Sequence, residues 1–372
     1  MRLLVISTAP LIVKNESYFA YSPYAKEMVY WAKYADEIEF ACSVWNEDRN
    51  FLNAPVAFPI HKVHVLREMD MLTLRAAFKA IWSSLYNCLV LLKAMRSADH
   101  IHLRCPGNIS LLGVLLQVFF SKKMKTTKYA GNWDPKSKQP FSYRLQKWIV
   151  SNTFLTKNMQ VLVYGEWENS TKNIKSFFTA TYTEKDKIAL KRRKLEGIIS
   201  FVFVGTLSNG KQPLYAIQLI EQLHRQGRNV QLALYGEGAE RKELEEYITA
   251  HQLESFVFLK GNQNQEVIKQ AYIENHFVVL PSESEGWPKA VAEGMFWGCL
   301  PIATAVSCVP NMLDNGNRGI LLQMNLSKDA EQIIRLLDNQ DAYDQMVEHA
   351  ANWSRKYTLD VFENEIKKLL QS

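Results

Sequence analysis

The chain has 372 residues, 47% of them hydrophobic and 22% charged, and a formal net charge of +6. That length exceeds one ordinary core and suits two domains of about 150–200 residues each. No apolar run reaches the roughly 18 residues of a bilayer-spanning helix. The charge is unevenly placed: through Leu195 there are 29 Lys and Arg against 15 Asp and Glu, giving +14, and from Glu196 onward 15 against 23, giving −8, which together restore +6. Halves of opposite sign predict two domains with different partners. A basic half suits nucleic acid, an anionic membrane face or a phosphorylated substrate. There is no zinc-finger spacing, RNP-like aromatic signature or helix-turn-helix pattern, which argues against nucleic acid. The five cysteines (Cys42, Cys88, Cys105, Cys299, Cys308) are odd in number and lack a CxxC pair, so reduced, buried thiols are expected rather than a disulfide framework or zinc site.

The opening MRLLVISTAPLIV has no small-residue cleavage site after its short apolar run, and Pro10 interrupts it. It reads as the first buried strand (3–7) of an intracellular protein. A helix is predicted from Tyr24 to Tyr34 and a strand over 38–44. Residues 72–96 are apolar at helical spacing, with Arg75, Lys79, Lys93 and Arg96 toward the ends. They suit a helix that touches lipid or one that packs on the core with solvated ends. HIHLR (100–104) reads as a strand, 108–120 as a buried helix, and SKKMKTTK (121–128) as a basic loop entering a strand near Tyr129.

Beyond KRRK (191–194) the pattern is more regular. FVFVG (201–205), VQLALYG (230–236), FVFLKG (256–261) and FVVLP (277–281) read as strands. Helices are predicted from Pro213, over 239–251 and over 265–272, with a last helix from Leu359 to Leu370. Repeated strand–helix units predict a parallel sheet wrapped by helices. Ligands of such sheets bind beyond the carboxyl ends of the strands, so the loops of interest are 205–212, 236–239, 261–264 and 281–288.

In the last of these loops Glu285 and Glu293 are eight residues apart, which on one helix would leave them about 80° out of line. Pro288 suits the first turn of a helix and Gly298 its end. Glu285 therefore lies before the helix and Glu293 within it. Gly286 and the free amides of the helix start favour an anion between them, and Glu283 reads as a solvated loop residue.

Residues 201–322 resemble the nucleotide-binding domain of the family 4 (group 1) retaining glycosyltransferases. The resemblance is carried by VGTLSNGK (204–211), YGEGAERKEL (235–244), FLKGN (258–262) and the E-x7-E stretch SESEGWPKAVAEGMFWGCLPIAT (282–304). It implies an α/β chain of the GT-B fold, with two Rossmann-like domains facing across a cleft. These are an acceptor domain over 1–195, a donor domain over 196–352 and a C-terminal helix over 353–372 returning to the first domain.

The resemblance implies that Glu293 accepts the ribose hydroxyls and that Glu285 lies near the transferred sugar. Gly286, Trp287 and Pro288 would hug the diphosphate and sugar, and Lys211 would neutralise the leaving diphosphate without a metal or other cofactor. Gly205, Thr206, Gly236, Gly238, Gly261 and Asn262 would line the phosphates and base, and the loop 261–264 would choose the base. Thr206 departs from the family, many members of which carry arginine there. In the first domain the family's glycine pair is replaced within FAYSPYAKEM (19–28), and a histidine of the family is replaced within KYAGNWD (128–134). His102, Arg104, Asn108 and Asn132 are the acceptor-side candidates.

The expected protein is a cytoplasmic, metal-independent, hexosyl-type retaining glycosyltransferase. It would take a UDP- or GDP-sugar and deliver it to a hydroxyl, with a polyprenol-diphosphate-linked glycan of capsule, O-antigen or exopolysaccharide assembly as acceptor. The basic first domain would rest on an anionic inner membrane. Two alternatives remain: a nucleotide-sugar epimerase, for which the first half offers few acids (Asp99, Asp134, Glu166), and a non-catalytic nucleotide-sugar-binding partner.

Overall fold

In a computed structural model the described residues are 1–47, 49, 52–69 and 74–371, with the side chains of 74–81 left aside. The chain forms two compact units, one of Met1–Phe177 with the residues from Phe362 on, the other of Phe178–Val361. The boundary expected at 195 thus falls at 177. Residues 178–195 belong to the second unit, where Arg193 donates to carbonyls of Ile273 (2.7 Å) and Trp297 (2.9 Å).

The first unit begins with β1 (Arg2–Ser7), the hairpin β2 (Leu11–Lys14) and β3 (Ser17–Tyr21), and α1 (Ser22–Ala32). Then follow β4 (Glu37–Cys42), β5 (Val44–Trp45), β6 (Asn53–Pro55), β7 (Lys62–Val65), α2 (Leu74–Ser97) and β8 (His100–Cys105). The unit continues with α3 (Asn108–Leu116), β9 (Met124–Tyr129), α4 (Phe141–Ser151), β10 (Met159–Tyr164) and β11 (Ile174–Phe177). Seven strands form a parallel sheet in the order β11-β10-β9-β8-β1-β4-β7, beside a four-stranded sheet β5-β2-β3-β6. The core lies where inward residues of β1, β8 and β10, such as Leu4, Ile6, Leu103 and Val161, meet Leu91 and Met95 of α2.

Two expectations shift here, and a third is described only in part. Leu72 and Thr73 lie outside the described residues, as do the side chains of Arg75 and Lys79, and α2 starts at Leu74. The helix predicted over 108–120 ends at Leu116 and tightens into a 3-10 turn, Gln117–Phe120. The basic loop 121–128 is largely strand β9. Lys125 and Lys128 are buried in it, because Lys125 Nζ donates to the Phe120 carbonyl at 2.7 Å and Lys128 Nζ to Glu27 at 2.8 Å. Buried ammonium groups are tolerated when paired in this way.

The second unit carries β12 (Ile199–Val204), α5 (Pro213–Arg225), β13 (Val230–Tyr235), α6 (Arg241–Ala250), β14 (Val257–Gly261), α7 (Gln265–Glu274), β15 (Phe277–Leu280) and α8 (Lys289–Phe296). It is completed by β16 (Leu300–Thr304), α9 (Val309–Met312), β17 (Ile320–Leu322), α10 (Leu326–Leu337) and α11 (Gln340–Ser354); α12 (Leu359–Gln371) belongs to the first unit from Phe362 on. Six parallel strands run in the order β14-β13-β12-β15-β16-β17. The order reverses between β12 and β15, the topological switch point at which doubly wound sheets bind ligands. Lys211 follows the first of these strands and Glu285 the second.

Candidate functional site

Loops at the carboxyl ends of β12, β13 and β14 are knitted by backbone hydrogen bonds: Gly205 N to Tyr235 O, Gly236 N to Gly261 O, and Leu207 N to Glu237 O, each 3.0 Å. A Cβ on Gly236 would stand 1.8 Å from the Gly205 carbonyl oxygen, and one on Gly238 2.1 Å from that of Leu207. These glycines are therefore needed first for loop-on-loop packing. Gly261 turns left-handed at φ +67, the conformation that glycine adopts without cost. Thr206 and Asn262 are exposed beside them.

The loop after β12 tightens into a 3-10 turn, Asn209–Lys211, and leaves it through Gln212 at φ 49. It is clipped to the loop after β15, where the Glu283 amide donates to the Gly210 carbonyl at 3.0 Å and Gln212 Nε2 donates to Glu283 Oε1 at 2.7 Å. Glu283, expected to be merely solvated, thus docks the lysine loop. Through that docking Lys211 Nζ reaches Glu285 Oε1 at 2.5 Å, with the lysine side chain 30% exposed and the glutamate 8%. The ammonium is held by one buried carboxylate and still faces solvent, which leaves it able to meet an anion.

Gly286 follows, its carbonyl accepting from Cys308 Sγ at 3.2 Å. Trp287 sits among aromatic rings, 6.2 Å from Trp353 and 5.7 Å from Tyr357 between centroids. The ring is half-buried in this packing. Pro288 caps α8, one residue earlier than expected, and Gly298 ends it at φ +75. The first-turn amides of α8 have no partner within the helix.

Glu293, one turn in, accepts a hydrogen bond from Thr181 Oγ1 at 2.6 Å. Two buried phenols, Tyr182 and Tyr272, stand close by: burial pushes both phenols well above the ordinary range, and the Glu293 charge pushes the same way. Thr181 and Tyr182 also line a cavity of about 490 Å³ with Asn264, Gln265 and Lys269 at the start of α7. Sequence reasoning missed Thr181. Within TATYT (179–183) nothing in spacing or residue type distinguishes it.

In the first unit the acceptor-side candidates sit differently from expectation. His102 is wholly buried, its Nδ1 2.9 Å from Thr126 Oγ1 and its ring 4.0 Å from that of Trp31. Burial holds its pKa well below 6.5, so it is a neutral interior group rather than a face open to substrate. Asn108 holds the Met69 carbonyl (3.0 Å), and Asn132 Oδ1 accepts from the Asp134 amide (2.9 Å), both anchoring local backbone.

Arg104, next to last in β8, shares Glu27 with Lys128, at 3.2 and 2.8 Å. Burial alone would raise the Glu27 carboxyl; Lys128 and Arg104 reverse that and bring it to about 2. Two cations on one buried carboxylate leave a surplus positive charge at the carboxyl ends of β8 and β9. Among the described residues one group could present metal ligands together, Glu37, Glu39 and His61. Its carboxylates already bond Arg2 Nε and His64 Nε2, each at 2.7 Å.

Residues 184–353 match the family model described as glycosyl transferases group 1, 170 of the 372 residues. Among curated relatives, the chain is 30% identical over 160 residues to the alpha-D-kanosaminyltransferase of Streptomyces kanamyceticus, covering 42% of each. It is 26% identical over 139 residues to an uncharacterized glycosyltransferase of Methanocaldococcus jannaschii, 37% of this chain and 39% of that one. In these matches the chain spans about two-fifths of each relative. Among solved structures, Anabaena HepE in complex with UDP and glucose aligns over 100% of this chain and 99% of its own, at TM-score 0.68 and 14% identity. TarM of S. aureus, in a complex that includes UDP, aligns over 77% and 59% at TM-score 0.57 and 18% identity. At such identities the likeness shows the fold, which is α/β of the GT-B class.

Proposed function

We propose that this chain is a glycosyltransferase that moves a sugar from a nucleoside diphosphate to a hydroxyl acceptor with retained configuration. The observation that carries the reading is the Lys211–Glu285 pair, 2.5 Å apart at the switch point of the second sheet, within the part that matches the group 1 family. Lys211 neutralises the leaving diphosphate, the task a metal ion performs in other enzymes. Glu285 orients the ammonium and faces the sugar. The amides at the start of α8 add positive potential for the phosphates, and Glu293 accepts the ribose hydroxyls. The cavity at the start of α7 takes the base. Departure of the diphosphate on the face where the acceptor arrives lets a phosphate oxygen take the acceptor's proton.

UDP in the HepE and TarM complexes supports a uridine donor as the first to try. The acceptor is read as a polyprenol-diphosphate-linked glycan of surface-polysaccharide assembly, and the first unit as resting on an anionic inner membrane. The +10 charge of residues 1–177, 23 Lys and Arg against 13 Asp and Glu, supports that placement. No helix among the described residues is long and apolar enough to cross a membrane.

The test is turnover of UDP- and GDP-sugars by the pure protein. Lys211→Ala and Glu285→Ala are expected to lose about 10²–10³-fold in rate, the scale of a lost electrostatic stabiliser. Equal background hydrolysis in all three proteins defeats the enzyme reading in favour of a binding partner. A donor panel read by thermal shift identifies the base and sugar, because bound ligand stabilises by mass action.

A further inference from the structure

Among the described residues, eight of the fourteen exposed large apolar side chains of the first unit lie on α2, α3 with its 3-10 extension, and α4. The steps β7 to β8, β8 to β9 and β9 to β10 all move in the same direction across the first sheet. Right-handed crossovers therefore place α2, α3 and α4 together on one face. Each of these helices turns large apolar residues away from the core. On α2, Trp82 (73% exposed), Leu85 and Leu89 stand at helical spacing while Asn87, Leu91 and Met95 are buried. The same exposed line continues into Lys93 and Arg96. Leu115 and Phe119 (77% exposed) lead to Lys122 on α3 and its 3-10 extension, and Phe141, Arg144 and Trp148 (61% exposed) repeat the pattern on α4. In the second unit the exposed large apolar residues among those described are Ile188, Ile198, Val267 and Met324, single and without an aromatic.

Charge follows the same segment. Residues 74–158 contain 14 Lys and Arg, two of which (Lys125 and Lys128) are buried, and two acids, Asp99 and Asp134. Asp99 is engaged, its carboxylate accepting from the Arg2 amide at 2.6 Å. Exposed Trp, Phe and Leu interleaved with Lys and Arg, with almost no acid, are what an interfacial surface on anionic lipid requires. Rings enter the boundary of headgroups and acyl chains while the cations meet phosphates.

We infer that the outer face of α2, α3 and α4 is a membrane-docking surface that inserts apolar side chains into an anionic bilayer. Contact is then led by insertion and assisted by charge, which is more specific than attraction of a basic domain. This deepens the membrane part of the reading above and is independent of sugar transfer. It places Trp82, Leu85 and Leu89 of α2 nearer than Lys93 and Arg96 to the carboxyl edge of the sheet, since the helix runs against the strands. A lipid-borne acceptor would thus be delivered at the edge where Arg104 stands next to last in β8.

Full-length protein is tested for co-sedimentation with phosphatidylcholine vesicles, with and without phosphatidylglycerol. Wild type is expected to partition to the phosphatidylglycerol vesicles and to be weakened, not abolished, by high salt. Trp82→Ser/Leu89→Ser/Phe119→Ser is expected to lose about tenfold or more in partition, and Lys93→Glu/Arg96→Glu/Lys122→Glu to lose binding that wild type shows at low salt. Ile188→Ser/Val267→Ser on the second unit serves as the control and stays at wild type. Retained binding in the apolar triple variant overturns the proposal, as does indifference of wild type to phosphatidylglycerol. A dimer in solution that the apolar substitutions split, without vesicle partition, makes the face a self-interface and overturns it too. Thermal shift by UDP is read in parallel; its loss in wild type would undercut the donor-site reading and leave the docking result standing.

Discussion

Thr181 shows how a residue without a motif becomes part of a site. Its hydroxyl donates to Glu293 at 2.6 Å, and a carboxylate with about four acceptor positions can hold that bond and still receive ribose hydroxyls. On the proposed donor reading the bond fixes the carboxylate's direction and makes Thr181 a positioning residue. A hydrogen bond to a charged group contributes on the order of 1.5–3 kcal/mol, part of which remains when the group can turn to water. Thr181→Val is expected to raise the donor KM about five- to tenfold with kcat little changed, the signature of lost uniform binding. Thr181→Ser is expected to restore it. A Val variant that loses kcat instead, or a Ser variant no better than Val, would make the contact merely structural.

At the scale of elements, the glycines of the second unit couple three loops to each other. Gly236 has a φ of 153 and its missing Cβ points into the Gly205 carbonyl at 1.8 Å, an approach backbone cannot yield to without parting the loops. Gly236→Ala is expected to cost about 2–4 kcal/mol, seen as a lower urea midpoint, and to reduce nucleotide-induced stabilisation. An unchanged midpoint would show that the loops move apart freely. The strand–helix units of this half were legible because short apolar runs end in glycine or proline: 230–236 and 277–281 come within a residue of β13 and β15. The hairpin β2–β3 was not legible. Its turn, Asn15–Glu16, takes left-handed φ of 47 and 62 without the Asn-Gly pair that advertises such turns. Strand β9 was hidden by its lysines, whose partners, the Phe120 carbonyl and Glu27, are distant enough in structure or kind that sequence does not pair them. The E-x7-E segment singled out Glu285 and Glu293 in the sequence, whereas the bonds of Glu283 to Gly210 and Gln212 and the rings packed on Trp287 join residues that no sequence pattern pairs.

On the scale of the whole molecule, the first unit is expected to be the more sensitive to acid between pH 7 and 5. His100 Nε2 and His102 Nδ1 both lie 2.9 Å from the Thr126 hydroxyl. Burial lowers His100 to about 4 and His102 well below its ordinary 6.5. A histidine kept neutral by folding binds its proton more readily when unfolded, so stability is fully present above pH 6.5 and falls as pH drops toward the folded value. Glu27, held at about 2, has the same sign: its contribution is complete above the carboxylate's ordinary 4.5 and is lost below it. The two effects separate into a first loss between about pH 6.5 and 4 and a second between about 4.5 and 2. Amide hydrogen exchange, corrected for intrinsic rates, is expected to show protection of β8 and β9 falling between pH 7 and 5 by more than that of β12 and β13. His100→Asn/His102→Asn is expected to flatten the difference. The half-buried His276 of the second unit is also shifted down by burial, but it is more weakly perturbed, and it lies 2.9 Å from the Ser200 hydroxyl and 3.1 Å from both the Ser200 amide and the Lys194 carbonyl. Equal loss of protection in both units would therefore remove the histidine pair as the cause.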